Sequence, residues 1–91
     1  MKTFIIEREV PGASELTTAE LAEMSRKCNI AAASMGVPYR WVTSYVTGDK
    51  IYCIHEADDE TVVREHARRC GFKATTLAVV IAEFGPHTAD V

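Results

Sequence analysis

The sequence predicts one α+β domain with the element order strand, helix, strand, strand, helix, strand. Three observations predict it. Four runs rich in β-branched and aromatic residues are bounded by turn residues. Two segments repeat apolar residues at helical spacing between those runs. Each segment ends on a breaker: Pro11-Gly12, Gly36 with Pro38, Gly48-Asp49, Gly71, and Gly85-Pro86.

Strand one is Thr3 to Val10, TFIIEREV, closed by Pro11-Gly12. Ala13 to Thr17 reads as a loop. Thr17 or Thr18 can cap helix one, with Glu20 in its first turn. Leu21, Met24, Cys28, Ala31, Ala32 and Met35 then mark one apolar face, and Gly36 stops the helix. Tyr39 to Val46 (YRWVTSYV) and Lys50 to Ala57 (KIYCIHEA) are strands two and three, paired as a hairpin through Gly48-Asp49. Asp58 or Asp59 caps helix two, whose inner face is Val62, Val63, His66, Ala67 and Cys70. Strand four is Thr75 to Phe84, TTLAVVIAEF, followed by a tail from His87 to Val91.

This order is the ferredoxin-like βαββαβ plan, a four-stranded antiparallel sheet with two helices on one face. Residues 1–91 form a single domain of this kind. A chain of 91 residues buries only roughly 60–65% of its unfolded surface, so its core is modest. A sheet covered on one side should alternate apolar and polar residues. These strands are apolar on both faces: Ile5 opposes Phe4 and Ile6, and Tyr52 and Ile54 oppose Ile51, Cys53 and Ala57. Tyr39, Trp41 and Tyr45 oppose Val42 and Val46, and Leu77, Val79 and Ile81 oppose Ala78, Val80, Ala82 and Phe84. The uncovered face therefore predicts an isologous homodimer, sheet against sheet.

Composition excludes several classes. Net charge is −3 with both signs interleaved, which argues against a nucleic-acid partner. No apolar run approaches the length of a membrane span, and Glu7, Arg8 and Glu9 interrupt the first one too early for a secretory signal. Three cysteines without a CxxC argue against a disulfide scaffold and for a reducing cytoplasm.

The candidate metal ligands are the polar residues inside the apolar plan: His55, His66, Glu7, Glu56 and Cys53. Cys53 and His55 are two apart on a strand and share one face, with Glu56 on the other. His66 and Cys70 are four apart on one helix face. Each also has a plainer reading: a small buried thiol, a satisfied histidine, a strand-end charge. Glu83 at the end of strand four has that last status too, and His87 and Asp90 read as a solvated tail able to bind metal loosely. No nucleophile–base pair or phosphate-binding glycine loop is present, so a binding role is expected over an enzymatic one. The alternative is a small dimeric α/β-barrel enzyme or small-molecule-binding protein. Its pocket would lie between the paired sheets, lined by Arg8, Trp41, Tyr45, Tyr52 and His55.

The segments FIIEREVPGA, WVTSYVTGDKIYCIHEADDE, REHARRCGFKA and GPHTAD resemble a small domain-of-unknown-function family that includes a nickel-binding, ferredoxin-like homodimer. The resemblance runs from Phe4 to about Asp90. It implies a homodimer and a divalent nickel ion held by histidine, carboxylate and water, for sequestration or sensing. Two positions depart from the family's pattern: His55 stands where tyrosine is usual, and Lys73 where proline is usual. The resemblance assigns no ligand to a numbered position.

Overall fold

The computed structural model describes every residue except Thr75 and Val91. The start of strand four expected at Thr75 and the last residue of the tail lie outside the described residues. Eight elements follow in order: β1 (Lys2–Glu9), a 3₁₀ turn (Ala13–Glu15), α1 (Thr18–Ser34), β2 (Tyr39–Val46), β3 (Lys50–Ala57), α2 (Glu60–Cys70), β4 (Thr76–Val79) and a second 3₁₀ turn (Pro86–Asp90). The sheet has the order β2-β3-β1-β4 and every pairing is antiparallel. This is the ferredoxin-like arrangement.

Each helix starts where its side chains can replace missing backbone partners. Thr17 and Glu20 form a reciprocal capping box at α1. Asp59 caps α2, accepting from the Val62 amide at 3.2 Å, and Gly71 closes it at φ 80°. Asp59→Ala is expected to cost about 1 kcal/mol, seen as a lower urea midpoint with an unchanged slope. The loop after β1 is fastened to the β2–β3 turn. Val10 and Ser14 amides donate to the Asp49 and Gly48 carbonyls at 2.8 and 3.1 Å, and Gly12 N–H donates to the Asp49 side chain at 3.0 Å.

The alternation along β1 and β3 decides what faces the helices. Phe4 and Ile6 of β1, and Ile51, Cys53, His55 and Ala57 of β3, are buried beneath α1 and α2, where Val63, His66 and Ala67 meet them. Ile5, Glu7, Lys50, Tyr52, Ile54 and Glu56 face the other way. Cys53 and His55 therefore lie under the helices, and Glu56 lies on the open face.

Two expectations are corrected. Tyr45 does not share a face with Tyr39 and Trp41. Trp41 pairs with His55, but the next pair is Thr43 with Ile54, so Val42 is an extra residue. A β-bulge of this kind reverses the facing of every later residue on the strand. Ser44 and Val46 consequently join the helix side, paired with Cys53 and Ile51, while Tyr45 pairs with Tyr52 on the open side. Strand four is also shorter than the sequence run that suggested it. Val79 pairs with Phe4, and Val80 N–H still reaches the Thr3 carbonyl at 2.8 Å. Only Lys2 of β1 remains beyond that point, so the ladder has no further partner. Residues 81–84 continue without strand pairing, with Ile81 and Phe84 87% and 86% exposed.

Candidate functional site

The polar residues under the helices gather around two histidines. His55 comes from β3 and is 2% exposed; His66 comes from α2 and is fully buried. Their ring centroids are 5.2 Å apart in an edge-on arrangement. Tyr39 of β2 stacks on His66 at 4.4 Å and bonds His55 Nδ1 through its hydroxyl. That hydroxyl has no other acceptor among the described residues, so it donates and leaves the His55 proton on Nε2. The Cys28 carbonyl can only accept, so His66 Nε2 carries its ring proton and donates to it at 3.0 Å. His66 Nδ1 then faces Cys70 Sγ at 3.6 Å. The His55 lone pair is thus taken by the Tyr39 hydroxyl, and Cys70 Sγ stands beside both His66 ring nitrogens.

Burial keeps both rings neutral. For His55 burial is the larger cause, with the nearby His66 and Arg8 charges adding to it, and its pKa is pushed down to about 3. Burial lowers His66 too, opposed by its bond to the Cys28 carbonyl. The Cys53 thiol is raised by burial. The bulge assembles a relay beside it. Trp41 Nε1–H donates to Ser44 Oγ at 2.9 Å, and the Ser44 hydroxyl donates to Cys53 Sγ at 3.1 Å. Arg8 enters the same side from β1, its guanidinium carbon 3.7 Å from the Phe72 ring centroid. The Cys28 thiol is eased down to about 7, first by a hydrogen bond from Cys70 and then by the Arg8 charge, with burial opposing.

The candidate ligands divide between the two faces. His55, His66 and Cys53 come together under the helices. Glu7 and Glu56 sit on the open face, where Glu7 pairs with Lys50 and Glu56 with Arg40, the latter at 3.0 Å. The alternative pocket lining divides likewise: Arg8 and Trp41 belong to the helix side, Tyr45 and Tyr52 to the open side. Among the described residues no three histidine, cysteine or carboxylate side chains stand where they could hold one metal ion. With the His55 lone pair engaged, no third donor converging and the carboxylates across the sheet, the buried histidine pair does not fit a nickel centre. Glu83 lies on the exposed, unpaired segment after β4. In the C-terminal turn, His87 Nδ1 stands 3.5 Å from the Asp90 carboxylate, both widely exposed.

Two residues of the site are not visible in the sequence: Tyr39 as the link between the histidines and Ser44 as the partner of Cys53. A tyrosine at the start of a strand and a serine after a tryptophan carry no signal of their own. The bulge that places Ser44 cannot be read from alternation.

The architecture defines a small ferredoxin-like α+β domain with one sheet face open. A family model described as "Nickel responsive protein SCO4226-like" matches residues 4–80, and the chain belongs to that family. The fold is similar to the crystal structure of SCO4226 from Streptomyces coelicolor A3(2), with a TM-score of 0.76 and 16% identity, covering 90% of this chain and 99% of that one. At that identity the likeness is one of fold. No curated protein matches the chain.

Proposed function

We propose that the chain is a nickel-binding protein for sequestration or sensing. In this reading it works as a homodimer joined through the open sheet face, and holds the metal with surface donors. The observation that carries the metal is membership, over residues 4–80, of a family described as nickel responsive. The state of the donors supports their placement. His55 is occupied by Tyr39, whereas Glu7 and Glu56 are held only by weak surface ion pairs that a divalent cation can displace; they stand four positions apart along the sheet, so an ion on either draws its remaining donors from water or the partner copy. His87 and Asp90 add an accessible imidazole and carboxylate. Nickel takes such nitrogen and oxygen donors together with water.

Exposed apolar surface supports the dimer. Ile5 and Tyr45 remain open to solvent on that face, beside Ile81 and Phe84 on the segment that leaves the sheet. The charges on that face are already paired, Lys50 with Glu7 and Arg40 with Glu56, so a second identical face meets no net repulsion. No described helix is long and apolar enough to cross a membrane.

Titration calorimetry of metal-free, tag-free protein, with light scattering on the same sample, tests both halves. Saturating heat with nickel and a dimer mass are expected. His87→Ala should weaken binding by about tenfold or more, and His55→Asn should leave it unchanged. No heat would end the metal half, and a monomer mass at micromolar concentration would end the dimer half. Loss of binding in a folded His55→Asn variant would return the metal to the buried cluster.

A further inference from the structure

A cavity of about 260 Å³ opens between α1, Phe72 and the bulged part of β2, on the helix side of the sheet. Most of its wall is apolar, from Leu21, Met24, Trp41, Val46, Ile51 and Phe72. Its volume falls just below the roughly 300 Å³ at which ligand pockets usually begin, which suits a body the size of one six-membered ring. One cationic side chain lines it, Arg8, and none of its described lining residues is a carboxylate.

Arg8 is held and yet unsatisfied. Phe72 supports one face of its guanidinium, and among the described residues it has no ion-pair partner. Its Nε is buried without any hydrogen-bond acceptor. A buried donor of a charged group is unfavourable unless an acceptor meets it. Of the other polar groups on the wall, the Ser25 hydroxyl and the neutral His55 ring bring no negative charge, and the Cys28 thiol, eased down to about 7, stays mostly protonated at about pH 6, where the titrations belong. An apolar hollow with one fixed cation whose Nε lacks an acceptor selects an anion on an apolar body over a neutral or cationic molecule of the same shape.

We propose that this cavity binds a small organic carboxylate, its ring among Trp41, Phe72 and Met24 and its carboxylate on Arg8. The site lies across the sheet from the proposed dimer face, so it does not depend on the nickel reading, and failure of either leaves the other standing.

The probe is cyclohexylacetate, transparent where tryptophan absorbs, with cyclohexylacetamide as its uncharged counterpart. Both are titrated into the metal-free, ¹⁵N-labelled full chain in whatever oligomeric state it adopts. The chain has a single tryptophan, so the Trp41 indole N–H resonance reports the cavity directly. Expected are saturable shifts at the Trp41 indole and the Arg8 Nε–H, with the amide at least about tenfold weaker, the difference a charge-assisted hydrogen bond makes. Arg8→Met should bring the acid down to the amide's affinity. Should that variant fail to fold, Arg8→Lys keeps the charge without the Nε donor and should still weaken the acid. Ser25→Leu, which fills the hollow from α1, should abolish the shifts at Trp41. Equal binding of acid and amide, no saturation, or shifts confined to Ile5, Ile54 and Ile81 on the open face would each overturn the proposal.

Discussion

Carrying the protein from pH 7 to pH 4.5 is expected to remove about 3 kcal/mol of stability through His55 alone. In the unfolded chain this ring takes a proton near 6.5; in the fold it does not until about 3. The unfolded state therefore binds more protons as pH falls below 6.5. Stability is fully present above that value and declines by about 1.4 kcal/mol per pH unit until the folded ring titrates. His66 is lowered in the same sense and steepens the slope. The carboxylates that the fold holds below their ordinary values, Glu20, Asp59 and Glu65, have reference values of 4.5, 3.8 and 4.5. They add their own loss only at the acid end, so the interval from 6.5 to about 5 isolates the histidines. Urea midpoints at half-unit steps measure the slope, and His55→Asn should flatten it. A wild-type profile that is level between pH 7 and 5 would show that the two rings are not held neutral by burial.

What the sequence reveals of this site follows from how local each cause is. The hairpin strands Tyr39–Val46 and Lys50–Ala57 match the sequence reading to the residue, because a two-sided apolar run between turn dipeptides is a local signal. The pairing of Cys53 with His55 on one face, and Glu56 on the other, follows from the pleat. Which face meets the helices is a tertiary choice, and β3 makes it by burying Ile51, Cys53, His55 and Ala57 in turn. Strand four is shorter than its composition predicts: TTLAVVIAEF has strand composition throughout, but pairing stops where its partner stops. The misplacement of Tyr45 has a different origin. A bulge of one residue at Val42 is invisible to alternation and turns the rest of the strand over. That single residue separates the aromatic set expected in one pocket, sending Tyr45 to the open face and Ser44 to the Trp41–Cys53 relay. The resemblance carries the family and no ligand positions, because whether a residue can be a ligand depends on its facing and on its partners in space.

His66→Ala is expected to destabilise the domain by about 3 kcal/mol, the range for emptying a fully buried ring site. For a domain of this size that lowers the melting temperature by roughly 10–20 °C. His66 is wholly inaccessible, stacks on Tyr39 at 4.4 Å and bonds the Cys28 carbonyl at 3.0 Å, so it joins α2 to β2 and α1 at once. Truncation leaves the Tyr39 ring without its stacking partner, removes the cross-helix hydrogen bond, and takes away the ring that Cys70 Sγ packs beside. His66→Phe should recover the packing share but not the bond to Cys28, placing its melting temperature between wild type and alanine. Nickel affinity should be unchanged in every His66 variant that remains folded at the assay temperature, because the metal reading places its donors on the surface. A loss below about 1 kcal/mol would mean the ring is not packed as described. A selective loss of nickel with stability intact would make His66 a ligand and not a strut.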